Sequence, residues 1–209
     1  MQPNAGQPVS TAGARLDEAD AAMVLVHGRG ATAASILTLA DALGRPHVAY
    51  LAPQAAGNTW YPYSFLAPIA DNEPGLSSAL AVLVGLVEEV TAEVSTSRTI
   101  LLGFSQGACL TLEFAARHPA GYGGVVGLTG GLIGPTGTPR DYSGSFGGAP
   151  VFLGASDPDP HVPWERVEET AGVLRGMGAD VTLRRYPGMG HTVNDDEIAA
   201  VRRMVDAVA

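Results

Sequence analysis

Hydrophobic residues along this chain follow two alternating patterns, short continuous apolar runs and longer segments with apolar residues every three to four positions. The short runs, rich in branched residues and bounded by turn residues, predict buried strands, and the longer segments predict amphipathic helices. Six strands are predicted, at 22–28, 47–53, 99–104, 124–130, 150–155 and 180–186. Five helices are predicted between and after them, at 33–43, 75–95, 106–117, 164–177 and 195–208.

The alternation of strands and helices predicts βαβ units and therefore an α/β fold with a doubly wound, mostly parallel sheet. Segment 130–150 is so rich in glycine and proline that we expect a loop where the alternation would otherwise place a helix. No residues remain to build a lid. We expect one domain over residues 22–209, preceded by an N-terminal extension or edge strand at 1–21.

Composition and charge narrow the range of partners. Of the 209 residues, 46% are hydrophobic, which is enough to bury a sizeable core. The formal net charge is −9 and every basic residue is an arginine, so we expect no nucleic-acid partner.

The N-terminus does not resemble a signal peptide, and we expect no apolar run long enough to cross a bilayer. The single cysteine, Cys109, is expected to be a small buried hydrophobe, which fits a reducing, cytoplasmic location.

The stretch "GFSQG" at 103–107 matches the pattern G-x-S-x-G between a predicted strand and a predicted helix. Such a turn holds its serine in a strained conformation, and side chains at the two glycine positions would collide with nearby backbone or substrate. The backbone N–H of Gln106 then lies at a helix N-terminus, aimed where a negative oxygen would form. We interpret Ser105 as a nucleophile. The alternative is an ordinary glycine-rich connection.

A serine hydroxyl needs a base at neutral pH, so one of the five histidines should lie near Ser105. His191 follows the last predicted strand in a turn-rich loop, which places it at the same edge of the sheet as Ser105. His27, at the end of the first strand, is expected to support a loop by hydrogen bonding. His161, which lies beside acidic residues, is the rival. We predict His191 as the base.

The loop after strand 150–155 offers two carboxylates, Asp157 and Asp159, and one of them would orient the base and stabilise its imidazolium. Together with His161 they also suggest metal ligands, but two prolines interrupt the spacing and no further ligand cluster is visible. We therefore expect no metal site. The residues alone leave the choice between the two aspartates open.

Several segments in this order resemble the phospholipase/carboxylesterase family of α/β-hydrolases, relatives of the acyl-protein thioesterases. They are "VLVHGRG", "LAPQ" with a following tryptophan, "GFSQGACL", "DPHVP" and "YPGMGHTV", between about residue 22 and the C-terminus. The resemblance implies the α/β-hydrolase fold without a lid domain and a triad of Ser105, Asp159 and His191.

Two spacings of the family disagree on the acid. Counting back three residues from the Val-Pro pair at 162–163 gives Asp159, whereas counting forward from Gly154 gives Asp157. We prefer Asp159, because the Val-Pro pair leads directly into a helix and fixes the chain there. The loop then carries two extra residues between Gly154 and the acid.

The resemblance also implies an oxyanion hole formed by the backbone N–H groups of Gln106 and Arg29. In relatives the residue at the position of Arg29 is usually small or apolar. Its guanidinium either attracts a carboxylate or phosphate of the substrate or is simply solvated.

The segment "PQAAGNTWYPYSF" at 53–65 concentrates aromatic residues in a loop expected over the active-site edge. These residues either form the apolar wall of a substrate pocket or cover the edge of the sheet. The resemblance favours a substrate-binding role for Trp60.

The expected function is that of a serine carboxylesterase that hydrolyses short- to medium-chain esters through an acyl-enzyme, without a cofactor. The alternatives are a thioesterase or acyl transferase with the same residues, and a sensor that uses the triad to capture a ligand. The expected partner is a small-molecule ester, with no nucleic acid and no membrane insertion, and a homodimer is left open.

Overall fold

The computed structural model describes residues 2–209, which form a seven-stranded sheet and five α-helices. The strands are β1 (Val9–Gly13), β2 (Ala21–Val26), β3 (Val48–Pro53), β4 (Thr99–Phe104), β5 (Gly124–Leu128), β6 (Pro150–Asp157) and β7 (Asp180–Pro187). The helices are α1 (Ala33–Leu43), α2 (Gly75–Glu93), α3 (Gln106–Arg117), α4 (Trp164–Gly176) and α5 (Asp195–Asp206). All six predicted strands and all five predicted helices are present, with ends that differ by at most two residues.

The strand order is β1-β3-β2-β4-β5-β6-β7, and only β1 runs antiparallel to its neighbour. The predicted α/β fold with a mostly parallel sheet is therefore confirmed. The additional strand, β1, pairs its residues 9–13 with residues 49–53 of β3 at the edge of the sheet.

Helices cover both faces of the sheet, and alternate strand residues feed two separate hydrophobic clusters. In β4, Leu101 packs in the cluster under α2, α3 and α4, whereas Ile100 and Leu102 pack in the cluster under α1 and α5. Because successive side chains of a strand point to opposite faces, a strand covered on both faces must be apolar throughout. This explains the continuous apolar runs in the sequence.

Within the described residues, α2 is long and apolar enough, by length and composition alone, to cross a membrane. The expectation that no apolar run reaches this length was therefore wrong. Half of the apolar stretch is buried inside the domain, where Leu76, Leu83 and Val90 join the core. A core helix meets the same criterion of length and composition, and the burial of α2 explains its apolar sequence.

The segment between β5 and β6 is a long loop without a helix, as its glycine and proline content predicts. Buried charged side chains hold it in place: Glu113 accepts a hydrogen bond from the N–H of Ile133 at 3.0 Å, and Arg166 donates to the carbonyl of Leu132 at 2.8 Å. The N–H of Gly134 in turn donates to the carbonyl of Phe65 at 2.7 Å, so the loop supports residues 53–65, called the aromatic segment below.

The chain places β3 on one side of β2 and then places β4 to β7 on the other side. In open α/β sheets the crevice at such a reversal, at the carboxyl ends of the strands, is the usual place for a ligand. Here the loops that follow β2, β4, β6 and β7 all reach this edge. They carry Arg29, Ser105, Asp159 and His191, respectively.

Candidate active site

Ser105 occupies a strained turn between β4 and α3, with φ 55° and ψ −120°, in a region that favours glycine. The neighbouring glycines are required by close backbone approach. A Cβ on Gly103 would overlap the carbonyl of Gly107, and a Cβ on Gly107 would overlap the carbonyl oxygen of Val26. The end of β2 therefore lies directly against the turn, as the G-x-S-x-G pattern requires.

A chain of hydrogen bonds runs from Ser105 through His191 to Asp159. The Nε2 atom of His191 lies 2.8 Å from the Ser105 hydroxyl, and its Nδ1 atom lies 2.8 Å from Oδ2 of Asp159. The Asp159 side chain is fully buried, and its Oδ1 accepts the backbone N–H groups of His161 and Val162 at 2.8 and 2.9 Å. The structure thus brings together the three residues predicted as nucleophile, base and acid.

Burial by itself would raise the pKa of Asp159, but hydrogen bonds from His191, from two backbone N–H groups and from the Ser156 hydroxyl lower this pKa below its ordinary value. An ionised carboxylate only accepts hydrogen bonds, so Nδ1 of His191 carries the proton that Asp159 accepts. Nε2 is then the acceptor for the hydroxyl of Ser105. This tautomer leaves His191 ready to take the serine proton.

The alternative acid, Asp157, pairs with Arg185 of β7, and the carboxylate that hydrogen-bonds His191 is that of Asp159. The imidazole of His161 packs edge-on against that of His191 at 4.9 Å, and it is His191 that hydrogen-bonds Ser105. Because Asp157 and Asp159 engage different partners, they do not combine with His161 into a set of ligands. Residues 2–209 contain no group of three or more His, Cys, Asp or Glu side chains placed to hold a metal ion.

The loop that carries His191 is anchored at the start of α5. Asn194 and Glu197 cap the helix reciprocally: the Asn194 side chain accepts the N–H of Glu197 at 2.9 Å, and the Glu197 carboxylate accepts the N–H of Asn194 at 3.0 Å. Glu197 is fully buried over Gly154 of β6, where a Cβ would collide with its carboxyl group. Burial raises the pKa of Glu197 to about 7.

The two residues predicted to form an oxyanion hole, Arg29 and Gln106, line the same cleft as Ser105. Gln106 is the first residue of α3, so its backbone N–H is one of the donors that a helix leaves without an internal partner. In the described part of the chain, the backbone N–H of Arg29 also has no acceptor. Both N–H groups are therefore available to a negatively charged oxygen near Ser105.

The side chains of Arg29 and Gln106 hold the segment on the other side of the cleft. The Arg29 guanidinium donates to three consecutive backbone carbonyls of residues 61–63, at 3.0, 2.8 and 2.6 Å. The Gln106 amide accepts the N–H of Trp60 at 3.0 Å and donates to the carbonyl of Tyr61 at 2.8 Å. Sequence reasoning missed these contacts, and no local pattern signals them, because each contact joins two residues that are more than 30 positions apart in the sequence.

The structure corrects the prediction that Trp60 lines a substrate pocket. Its side chain is fully buried, and its indole N–H donates to the carbonyl of His27 at 2.8 Å. A buried indole needs such an acceptor, and this one directs the ring into the core and not into the cleft. The neighbouring aromatic residues Tyr61, Tyr63 and Phe65 line the cleft instead.

His27 supports this region, as predicted. Its Nε2 accepts the N–H of Ala55 at 3.1 Å, and its Nδ1 is then the donor to the carbonyl of Gly28 at 2.8 Å. Burial lowers the pKa of His27, which keeps the ring neutral.

The cleft beside Ser105 has a volume of about 440 Å³. Its lining combines an aromatic wall with the polar groups described above, and consists of Arg29, Tyr61, Pro62, Tyr63, Ser64, Phe65, Ser105, Gln106, Cys109, His161, Val162 and His191. Cys109 is fully buried, and this burial raises the pKa of its thiol to about 12. The thiol is therefore protonated at neutral pH, and Ser105 is the reactive group that the geometry favours.

A family model of phospholipases and carboxylesterases matches residues 12–209. The chain belongs to the phospholipase/carboxylesterase family. Among curated relatives, acyl-protein thioesterase 1 of Gibberella zeae is 32% identical over 123 residues, and that of Debaryomyces hansenii is 27% identical over 150 residues. These matches cover 54% and 70% of this chain, and they span only 49% and 65% of the two relatives.

Two solved structures superpose on nearly the whole chain. A phospholipase/carboxylesterase from Dyadobacter fermentans is 44% identical with a TM-score of 0.92, and the match covers 96% of each chain. Esterase PE8 is 25% identical with a TM-score of 0.79, covering 97% of this chain and 98% of its own. The relatives are serine hydrolases, both esterases and thioesterases, with the α/β-hydrolase fold.

Proposed function

We propose that this protein is a serine carboxylesterase that hydrolyses short- to medium-chain carboxylic esters through an acyl-enzyme. The observation that carries the proposal is the unbroken hydrogen-bond chain from buried Asp159 through His191 to Ser105, with the serine held at a strained turn. Membership of the family supports the same class of chemistry.

In the first half of the reaction, the Ser105 oxygen attacks the ester carbonyl carbon while Nε2 of His191 takes the hydroxyl proton. Asp159 stabilises the imidazolium that forms. The backbone N–H groups of Arg29 and Gln106 donate to the oxygen that becomes negative. The tetrahedral species then expels the alcohol, which receives the proton from His191, and the acyl group remains on Ser105.

In the second half, a water molecule takes the place of the alcohol. His191 removes a proton from this water as its oxygen attacks the acyl-enzyme carbonyl. Collapse of the second tetrahedral species releases the carboxylic acid and returns the proton to Ser105. These steps use only groups of this chain and water.

The shape of the cleft supports short- to medium-chain substrates. A volume of about 440 Å³ lies within the usual range for small-molecule sites. The aromatic wall of Tyr61, Tyr63 and Phe65 suits an acyl chain, and residues 2–209 contain no inserted domain above the cleft. We therefore expect no sudden increase in rate when the substrate concentration is high enough to form a separate phase with a substrate–water interface.

Thioester hydrolysis is the second candidate, favoured by the matches to acyl-protein thioesterases. The same nucleophile, base and N–H donors would act, and the leaving group would be a thiol instead of an alcohol. The fold and the three residues serve both reactions, so the distinction has to come from turnover.

The test is a panel of p-nitrophenyl esters of increasing chain length together with an acyl thioester of matched length. We expect a maximum of kcat/KM at short or medium chains and a larger kcat/KM for the ester than for the thioester. Ser105→Ala should retain the fold and lose about a thousandfold or more in rate. A single equivalent of product without steady turnover would contradict an esterase, and a strong preference for the thioester would favour the second candidate.

A further inference from the structure

Arg29 brings a permanent positive charge to the wall of the cleft. The other residues that line the cleft are apolar or carry hydroxyl, amide, thiol or imidazole groups. No aspartate or glutamate is among them, and Asp159 is fully buried behind His191. The guanidinium is thus the one permanent charge on the cleft wall in the part of the chain that the structure describes.

This guanidinium is fixed in place but not neutralised. It donates three hydrogen bonds to backbone carbonyls, which are uncharged, and a guanidinium has five N–H donors in all. Two N–H groups, one on Nε and one on Nη1, remain for another acceptor. Arg29 is exposed, and its three hydrogen bonds to backbone carbonyls place its guanidinium at the cleft wall.

Most other arginines of the chain pair with a carboxylate, as Arg45 does with Asp206 and Arg140 with Glu169. Arg29 has no such partner among residues 2–209. The sequence has 21 acidic residues and a net charge of −9, so carboxylates are plentiful. An arginine that faces the candidate active site without one is available for a carboxylate that arrives with the substrate.

We propose that Arg29 binds an ionised carboxylate of the substrate, so that the site prefers esters with such a group on the acyl chain or on the alcohol. The inference rests on the proposed ester hydrolysis and adds the substrate class to it. A guanidinium recognises a carboxylate through charge and directed N–H donors together, and here both are already oriented by the bonds to residues 61–63.

The test compares two matched pairs of esters. The p-nitrophenyl half-ester of adipic acid is compared with p-nitrophenyl hexanoate for a charge on the acyl chain, and 4-acetoxybenzoate with 4-acetoxybenzamide for a charge on the alcohol. For each pair we take the ratio of kcat/KM for the charged ester to that for the neutral ester. Arg29→Gln should lower this ratio about fivefold in at least one pair, as expected for a partly exposed ion pair.

Two further variants separate the local charge from other effects. Arg29→Lys keeps the charge but loses the directed guanidinium donors, so its ratio should fall between those of wild type and Arg29→Gln. Arg98→Gln makes the same change in net charge at an exposed site before β4, at the opposite edge of the sheet, and should leave the ratio unchanged. A loosened aromatic segment would affect the charged and the neutral ester alike and so would not alter the ratio.

A ratio for Arg29→Gln within twofold of wild type in both pairs would overturn the inference, as would an equal fall in Arg98→Gln. If Arg29→Gln does not fold, competitive inhibition of the wild type decides: 4-hydroxybenzoate should bind several times more tightly than 4-hydroxybenzamide, or adipate more tightly than hexanoate. Equal binding in both comparisons also overturns it. Failure to hydrolyse even the neutral esters would instead remove the proposed function.

Discussion

The two sides of the cleft are held in place by different means. One side consists of the turns after β4, β6 and β7, and these are fixed locally, by glycines next to Ser105 and by the backbone N–H groups that Asp159 accepts two and three residues further on. The other side, residues 59–65, is an irregular segment held by side chains from distant parts of the chain. We therefore expect substitutions on the first side to change the chemical step and substitutions on the second side to change substrate binding or stability.

The largest effect is expected for the acid on the first side. Asp159→Asn should lower kcat by up to about ten thousandfold with the fold intact, because an amide favours the wrong tautomer of His191. Asp157→Asn is the matched control in the same loop, and it should cost little activity because Asp157 pairs with Arg185. Steady-state kinetics of both variants on one ester decide the matter, and an inactive Asp157→Asn beside an active Asp159→Asn would reverse the assignment.

Next in size is the loss of Trp60 from the base of the second side. Since this side chain is fully buried, Trp60→Ala should lower the free energy of unfolding by about 3–5 kcal/mol. Tyr63→Ala serves as the control on the same segment. Because Tyr63 is 59% exposed, the free energy of unfolding of this variant should be close to that of wild type. Denaturant melts measure both. Equal stability of the two variants would mean that Trp60 does not belong to the core.

A smaller effect, dependent on pH, is expected at the anchor of the His191 loop. The raised pKa of Glu197 means that the folded state holds a proton more tightly than the unfolded state. Stability from this group is complete below about pH 4.5 and is lost as the pH rises through about 7. Glu197→Gln should therefore gain stability over wild type with rising pH, on the order of 2 kcal/mol above pH 8.

Thermal melts of wild type and Glu197→Gln between pH 5 and 8.5 measure this difference. Asp195→Asn removes a carboxylate from the same turn of α5, where Asp195 is exposed, and is the control. Parallel pH profiles for wild type and Glu197→Gln would contradict the prediction. If Glu197→Gln and Asp195→Asn gained the same stability at high pH, the cause would be the loss of one negative charge from the protein and not the burial of Glu197.

The smallest effect concerns the aromatic wall itself. Tyr63→Ala should raise KM for longer-chain esters by a few fold and leave kcat/KM for acetate nearly unchanged, because only a longer chain reaches this exposed ring. The measurement is kcat/KM against chain length for both proteins. An equal loss on acetate would show that Tyr63 acts on the position of Ser105 and not on the acyl chain.

The sequence predicts the fold and one side of the cleft well, for a physical reason. Apolar runs covered on both faces are hard to mistake, and β2 to β6 are of this kind. The strained turn at Ser105 needs glycines at fixed positions, so its requirements are written within five residues. The turn predicts Ser105, the position of the last loop predicts His191, and the family resemblance implies Asp159; the chemical roles of all three stay a prediction.

The other side of the cleft depends on contacts that no local pattern contains. The direction of Trp60 follows from an acceptor on His27, 33 residues earlier in the chain. The choice between Asp157 and Asp159 is explained only once Arg185 on β7 faces the first of them. Residues 9–13 alternate between exposed and partly buried positions and lack the continuous apolar run of β2 to β6, so the sequence left an extension or an edge strand open for residues 1–21.

The two outer strands of the sheet, β1 and β7, bear on whether chains associate through their sheets at high concentration. An open strand edge invites a second chain to add to it, and proteins counter this with short edge strands and charged side chains. One outer strand is β1, which has only five residues. The other outer strand, β7, carries Arg184, which pairs with Asp196 of α5, and Arg185, which pairs with Asp157 of β6. An incoming strand would meet these charged side chains at the middle of β7, which disfavours its addition to the sheet.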